Sequence, residues 1–490
     1  MPKSAMKVRR IAVLADSDTR WKWGALTAKR LVSAEPDASD IHLDGYLLRG
    51  RATPTARQLT EVGVRADSLR EVTAVEFLRA TAPEGESGAG ASAGGESGAG
   101  ASAGGESGAG ASAGGESGAG ADADGAKPYD VLVLALVGGG VQAMLHGLKR
   151  VWQGRERRPV VVTGYVGVVY EKLADGLLLR HGADLVLANS RQDADRFRTV
   201  YEGVGADASA VTEVALPFLG GATYQGENKP YTVVFAAQPS VPERREERAY
   251  LLDRLVRHAR LHPDREVLLK LRSKPGEHTT HIEELPYQKL AQKTGLPPNL
   301  RLVHGHMGEV LDRTDLLVTV SSTAALEALH RRIPTVILTD LGVREVLGNH
   351  HFVGSGCLAS WDQLDAGHRP VPDEEWMALQ GVATGSPSSC GAGSHATAFD
   401  TARARVTEYL SAPGGLPPLT PYYTPATAPG YLPGILARHH LGPDGTPLPG
   451  APAGDKEPGA VRQIVRRTAR GAYRHGVQRV APVIRRMGEL

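Results

Sequence analysis

Cysteine is nearly missing from this 490-residue chain: only Cys357 and Cys390 occur, with no CxxC pair and no histidine at ligand spacing beside them. That argues against a disulfide-stapled scaffold or a structural zinc site, and it suits a reducing cytosol. An excess of charge of one sign is also missing. Lys and Arg total 56 against 54 Asp and Glu, a net +2, so no bulk attraction to nucleic acid is implied. Long apolar runs are absent: no stretch approaches the roughly 18 residues needed to cross a bilayer. The opening MPKSAMKVRRIAVLADSD is easily misread as a signal peptide. Its apolar run Ile11–Ala15 is too short for that and acids follow at once, so it reads as a first strand. The expected location is therefore cytoplasmic.

What is present is a serial alternation of buried strands and helices. Residues 9–15, Ile41–Leu48, Tyr129–Val137, Pro159–Gly164, Asp184–Leu187 and Val211–Leu216 read as strands, with helices over Trp21–Val32, Leu173–His181 and Gln192–Tyr201. This pattern predicts an α/β fold with doubly wound, Rossmann-like parallel sheets. The first domain covers 1–218. It is interrupted by an insertion, 83–127, in which GESGAGASAG occurs three times in tandem from Gly85. With no aromatic or β-branched residue, that tract cannot offset its chain entropy and reads as a flexible surface loop. A Gly-rich linker, 219–230, leads to a second domain over 231–412. A Pro/Gly-rich linker follows over 413–459. The last segment, 460–490, carries a basic amphipathic helix: Val461, Ile464, Val465 and Ala469 fall at helical spacing among Arg462, Arg466, Arg467 and Arg470. It suits an anionic membrane surface through 460–487; a helix docked on its own protein or a disordered basic tail is the other reading.

The stretch DLLVTVSSTAALEALHRRIPTVILTD, from Asp315, reads as buried strand, turn, helix and buried strand. Thr323 is placed to cap the helix, so that Ser321, Ser322, Thr323 and the first amides face the crevice beyond the strand end, where ligands of such sheets sit. Glu327, one turn on, can reach ribose hydroxyls. Two readings fit: a phosphate cradle, or simply a capped helix. A second strand, Glu266–Arg272, ends in Lys270, Arg272 and Lys274, which are poor sheet material but good anion ligands. A solvated strand end is the other reading.

Together these stretches resemble the nucleotide-binding domain of GT-B glycosyltransferases, most of all bacterial sialyltransferases, polysialyltransferases and capsule or teichoic-acid polymerases. Those enzymes carry a Lys-x-His-Pro strand end, then SSTxxxEAL, then a Pro-Val strand start. Ser321-Ser322-Thr323, Glu327-Ala328-Leu329 and Pro334-Thr335-Val336 match the later part. Lys270-Leu271-Arg272 stands where Lys-x-His-Pro would, and His262-Pro263 precedes the strand. The opening Ala15-Asp16-Ser17-Asp18 also resembles an actinobacterial family of this general form. The resemblance covers roughly residues 130–410. It implies a glycosyltransferase using a nucleotide-sugar as substrate, with no cofactor and no metal. The donor phosphates would face Lys270, Arg272, Lys274, Ser321, Ser322 and Thr323, with the base near His306; Gln238, on the first loop of the second domain, would line the cleft near those phosphates. The acceptor would be a glycan, a lipid or a small molecule.

Asp16, Asp18 and Arg20 fall on the loop after the first strand, at the functional edge of its sheet. One aspartate as general base toward an acceptor hydroxyl is one reading, and an N-cap with a loop acid the other. Gly138, Gly139 and Gly140 lie between strand and helix and permit close approach of an acceptor, or simply a tight turn. A nucleotide-sugar 2-epimerase, a glycerophosphotransferase and a non-catalytic membrane-tethered scaffold remain the alternative functions.

Overall fold

The computed structural model describes residues 10–32, 41–82, 128–168, 172–274, 277, 285–382 and 397–449. The expected insertion 83–127, and the basic segment 460–490 with its membrane-facing helix, lie outside the described residues.

The first domain is built on strands β1 (Arg10–Ala15), β2 (His42–Leu48), β3 (Ser68–Val72), β4 (Val131–Ala135), β5 (Val160–Gly164), β6 (Leu185–Ala188) and β7 (Val211–Glu213). All are parallel, in the order β3-β2-β1-β4-β5-β6-β7. The helices between them are α1 (Asp18–Val32), α2 (Ala56–Val62), α3 (Ala74–Ala80), α4 (Gly138–Val151), α5 (Leu173–Leu178) and α6 (Arg191–Gly203). The central strands VLVLA and VVVTG are buried throughout, as sheets covered on both faces require. Close helix–sheet packing has a sequence cause at Gly24 of α1. A Cβ there would sit 2.7 Å from Val13 Cγ1 and 2.9 Å from Ala135 Cβ.

The second domain holds β8 (Thr232–Ala236), β9 (Glu266–Lys270), β10 (Leu300–Val303), β11 (Leu316–Thr319), β12 (Thr335–Leu338) and β13 (Leu358–Ala359), again all parallel, in the order β10-β9-β8-β11-β12-β13. Its helices are α7 (Arg245–Leu261), α8 (Tyr287–Ala291), α9 (Met307–Leu311), α10 (Ala324–His330), α11 (Trp361–Asp365) and α12 (Glu374–Leu379). Two Rossmann-like sheets in sequence are the expected fold class.

Two expected boundaries need correction. Residues 399–410 do not complete the second domain, and 413–449 are not a free linker. Helix α13 (Asp400–Leu410) buries Phe399, Ala402 and Val406 in the first domain's core beside Trp21, Trp23 and Val160. Leu419, then Leu432, Ile435 and Leu436 around helix α14 (Leu432–Ala437), and Leu441 bury in the opposite layer with Met144 and Leu148 of α4. Each such side chain contributes about 1.5–3 kcal/mol on burial, enough to fix a Pro/Gly-rich segment. The crossover 219–230 is also docked. Arg331 Nε donates to Gly220 O (2.7 Å), and Asp315 accepts from Tyr224 Oη, Asn228 N and Thr232 N. Among the described residues no helix is long and apolar enough to cross a membrane.

Candidate functional site

Residues that follow the carboxyl ends of strands in the two sheets meet at a cleft. On the second domain's side, the register sets Lys270 opposite Ala236, and Ala236 opposite Thr319. At about 4.8 Å per strand, Lys270 and Thr319 are roughly 10 Å apart along one sheet edge. Arg272 and Ser321 follow two residues beyond these strand ends.

Lys270 is 8% exposed, and among the described residues its Nζ donates only to Leu271 O (2.8 Å). Burial pushes its ammonium down to about 8; Arg57 and Arg272 push the same way, and Glu61 and Glu327 offset them in part. Such an ammonium gains from any anion that reaches it. Burial, with Lys270 nearby, also keeps the His304 imidazole below its ordinary value.

Ser321 is held rather than free. Its N–H donates to Gln238 Oε1 (3.0 Å), and its Oγ donates to Leu347 O (2.6 Å) and lies 3.3 Å from Gln238 Oε1. The expected cap moves by one residue. Thr323 is already helical (φ −57°, ψ −19°) and makes no capping bond, while Ser322 Oγ accepts from Ala324 N (3.3 Å). Thr323 instead meets the first domain: a Cβ at Gly167 would lie 3.5 Å from its Oγ1. Lys274 N donates to Glu277 (2.7 Å), and its side chain is exposed.

On the first domain's side, Asp18 and Arg20 lie in the opening turn of α1, not on a loop. Asp16 is fully engaged. Its Oδ1 accepts from Arg20 Nη1 (2.8 Å) and its Oδ2 from Val137 N (2.9 Å). Gly138, Gly139 and Gly140 form the first turn of α4 rather than a loop, packed against Leu179, Ile435 and Leu136 respectively. Beneath this edge Arg180 is buried. It donates to Gly164 O, Gly176 O and Leu136 O, with its guanidinium 4.0 Å from the Tyr165 ring centre.

Among the described residues, three charge pairs cross the cleft. Arg272 Nη2 lies 2.6 Å from Asp18 Oδ1 and also bonds Thr19 Oγ1. Lys22 Nζ lies 3.7 Å from Glu327 Oε2, and Arg57 forms a two-bond pair with Glu277. A cavity of 490 Å³ opens between the domains; Lys22, Glu61, Phe218, His306, Glu327 and Arg331 are among its lining residues. Burial and Lys22 push the His306 imidazole down. His306 and Glu327 thus share a cavity, and Arg272 meets Asp18. Lys22, Arg57 and Glu277 escaped the sequence reading, since nothing local marks a charge whose partner lies 220 positions away.

Residues 11–86 and 101–395 match a protein family described as "Putative glycosyltransferase (DUF6716)". The chain belongs to this family. No curated protein matches it. Among solved structures, the chain is similar to the Staphylococcus aureus MnaA–UDP co-structure. Identity is 11% and the TM-score 0.46, covering 84% of this chain and 100% of that one. A UDP-N-acetylglucosamine 2-epimerase gives 11% and 0.43, covering 82% and 95%. The glycotransferase of kitacinnamycin gives 16% and 0.37, covering 88% and 96%.

A second polar cluster lies away from the cleft. His258, His262 and Asp365 bring their ligand-type atoms within 4.8 Å of one another, with His258 Nδ1 2.7 Å from Asp365 Oδ1 and Arg254 beside the same carboxylate. His258 and His262 stand at the end of α7, just before β9 and so at the sheet end opposite Lys270, and Asp365 stands at the end of α11.

Proposed function

We propose that the protein transfers a sugar from a nucleotide-sugar donor to an acceptor hydroxyl. The donor lies against the second domain, with its phosphates toward Lys270, Arg272, Ser322 and Thr323. Its nucleoside occupies the cavity of His306 and Glu327, where the carboxylate accepts from ribose hydroxyls. The acceptor, a glycan, lipid or small molecule, approaches from the side of Asp16 and the first turn of α4.

One observation carries this reading: Lys270 is a buried cation bonded only to a backbone carbonyl among the described residues, beside Arg272 at a sheet edge facing a cleft. A cation so placed is costly in the empty protein and stabilises negative charge strongly when an anion is present. As the sugar–phosphate bond breaks, charge grows on the leaving nucleotide, and these groups are already in position to meet it.

The test begins with thermal shift against UDP, CMP, GDP and TDP. A ligand at 100 times its Kd adds about 2.7 kcal/mol to stability. At least one nucleotide should raise the melting temperature of the wild type and not that of Lys270→Ala. Product analysis with labelled donor then separates sugar transfer from epimerisation. No shift with any nucleotide would remove the assignment.

A further inference from the structure

The residues after 431 return to the first domain and deliver a histidine to its cleft edge. Leu432, Ile435 and Leu436 are buried against α4, and Leu441 is buried beyond them. Between these anchors His440 turns the chain in the left-handed region (φ 57°). His439 is thereby laid over the first turn of α4. A Cβ at Gly140 would lie 3.8 Å from its Cε1, an ordinary packing distance that sets the ring against this turn. The ring is half-buried and has no hydrogen-bond partner among the described residues.

The carboxylates of the same edge are both committed. Asp16 receives Arg20 on one oxygen and the Val137 amide, immediately before α4, on the other; Asp18 is paired with Arg272. Neither is free to take a proton without losing an ion pair. His439, whose ring has no hydrogen-bond partner among the described residues, lies within electrostatic reach of Asp16. Burial favours the neutral ring, as do Arg438 and His440, and Asp16 favours the imidazolium.

We propose that His439 is the general base of the transfer reaction, with Asp16 as the positioning residue that stabilises its protonated form. This rests on the glycosyl-transfer reading above. The acceptor oxygen forms its bond to the anomeric carbon as its proton passes to a ring nitrogen of His439. The bond from that carbon to the phosphate oxygen breaks, and the electron pair leaves with the nucleotide toward Lys270 and Arg272. A protein base on the acceptor side serves displacement from the face opposite the leaving group, so the product has inverted anomeric configuration.

Water can replace the unknown acceptor in the test. The full-length chain is incubated with UDP-N-acetylglucosamine, UDP-glucose, GDP-mannose, TDP-glucose and CMP-N-acetylneuraminate, and nucleotide release is followed. General-base removal costs about 10²–10⁴-fold, so His439→Gln should lower kcat by at least about 100-fold with its nucleotide-induced thermal shift unchanged. His439→Ala should regain turnover on addition of imidazole. Asp16→Asn should move the acidic limb of the kcat–pH profile to lower pH. Turnover by His439→Gln within about threefold of wild type, or retention of configuration in the released sugar, overturns the proposal and leaves sugar transfer standing. Absence of donor cleavage by the wild type together with absence of any nucleotide shift removes both.

Discussion

Arg272 and Asp18 belong to different domains and are held 2.6 Å apart across the cleft. The cation expected to face donor phosphate is thus occupied by a carboxylate, which an incoming phosphate must displace. Exposed or half-exposed pairs of this kind are worth about 0.2–1 kcal/mol. Asp18→Asn should free Arg272 and tighten nucleotide binding about two- to fivefold, while Arg272→Ala should weaken it by more. Calorimetric titration reads both, and weaker binding by Asp18→Asn would show that the carboxylate helps to hold the ligand.

Lys270 sets a pH dependence in the alkaline range. Its folded pKa, about 8, lies below the ordinary lysine value. Between about 8 and that ordinary value of about 10.4 the unfolded chain binds more protons than the folded one, so stability rises with pH across this window. Lys270→Met should flatten the rise and, near pH 7, stabilise the empty protein by on the order of 1 kcal/mol. Nucleotide affinity should run the other way, falling as pH passes about 8 in the wild type and staying flat in the variant. Urea unfolding and titration at stepped pH values check the two slopes.

At the opposite sheet end, His258 contributes to the loss of stability on the acid side. It is 0% exposed, and burial holds its pKa well below the ordinary histidine value despite the bond to Asp365. The folded state therefore binds fewer protons than the unfolded chain once pH falls below about 6.5, and stability is lost as pH falls from there. Urea midpoints should drop between pH 7 and pH 5 in the wild type. His258→Gln should lower stability at pH 7 but show a shallower drop on acidification.

The returning C-terminal segment is part of the first domain's core, so damage to it should be felt there. Leu436 is 0% exposed against α4, and Leu→Ala at such a site costs about 2–5 kcal/mol. Leu436→Ala should lower the melting temperature and accelerate hydrogen exchange in α4 and β4 while leaving β8 and β11 protected. Equal loss of protection in both domains would mean that they unfold as one unit.

The strands with continuous apolar runs, such as YDVLVLALV and DLLVTV, were legible because burial on both faces leaves no polar position to blur the signal. β3 was not, since SLREV at the sheet edge is exposed at four of five positions and shows no period. The residues after 399 were misassigned for a related reason. Leu419, Leu432, Ile435 and Leu441 are scattered among Pro, Gly and Thr, and only the folded first domain offers the groove that collects them. In the cleft, residue types were readable but pairings were not. Lys270 and Arg272 stand out as cations at a strand end, but that Asp18 would occupy one of them depends on how two lobes meet. His439 carried no local mark at all, because its meaning comes from lying over Gly140.

Because residues 397–449 complete the first domain's core, that domain is discontinuous in sequence. A ribosome releases the whole of 231–382 before it releases α13 and α14. The second lobe can therefore close during synthesis, while the first waits with part of its interior open until the returning segment emerges. A nascent chain of this architecture is a candidate for chaperone contact on its earliest-made half, reversing the usual order in which the front of a protein is finished first.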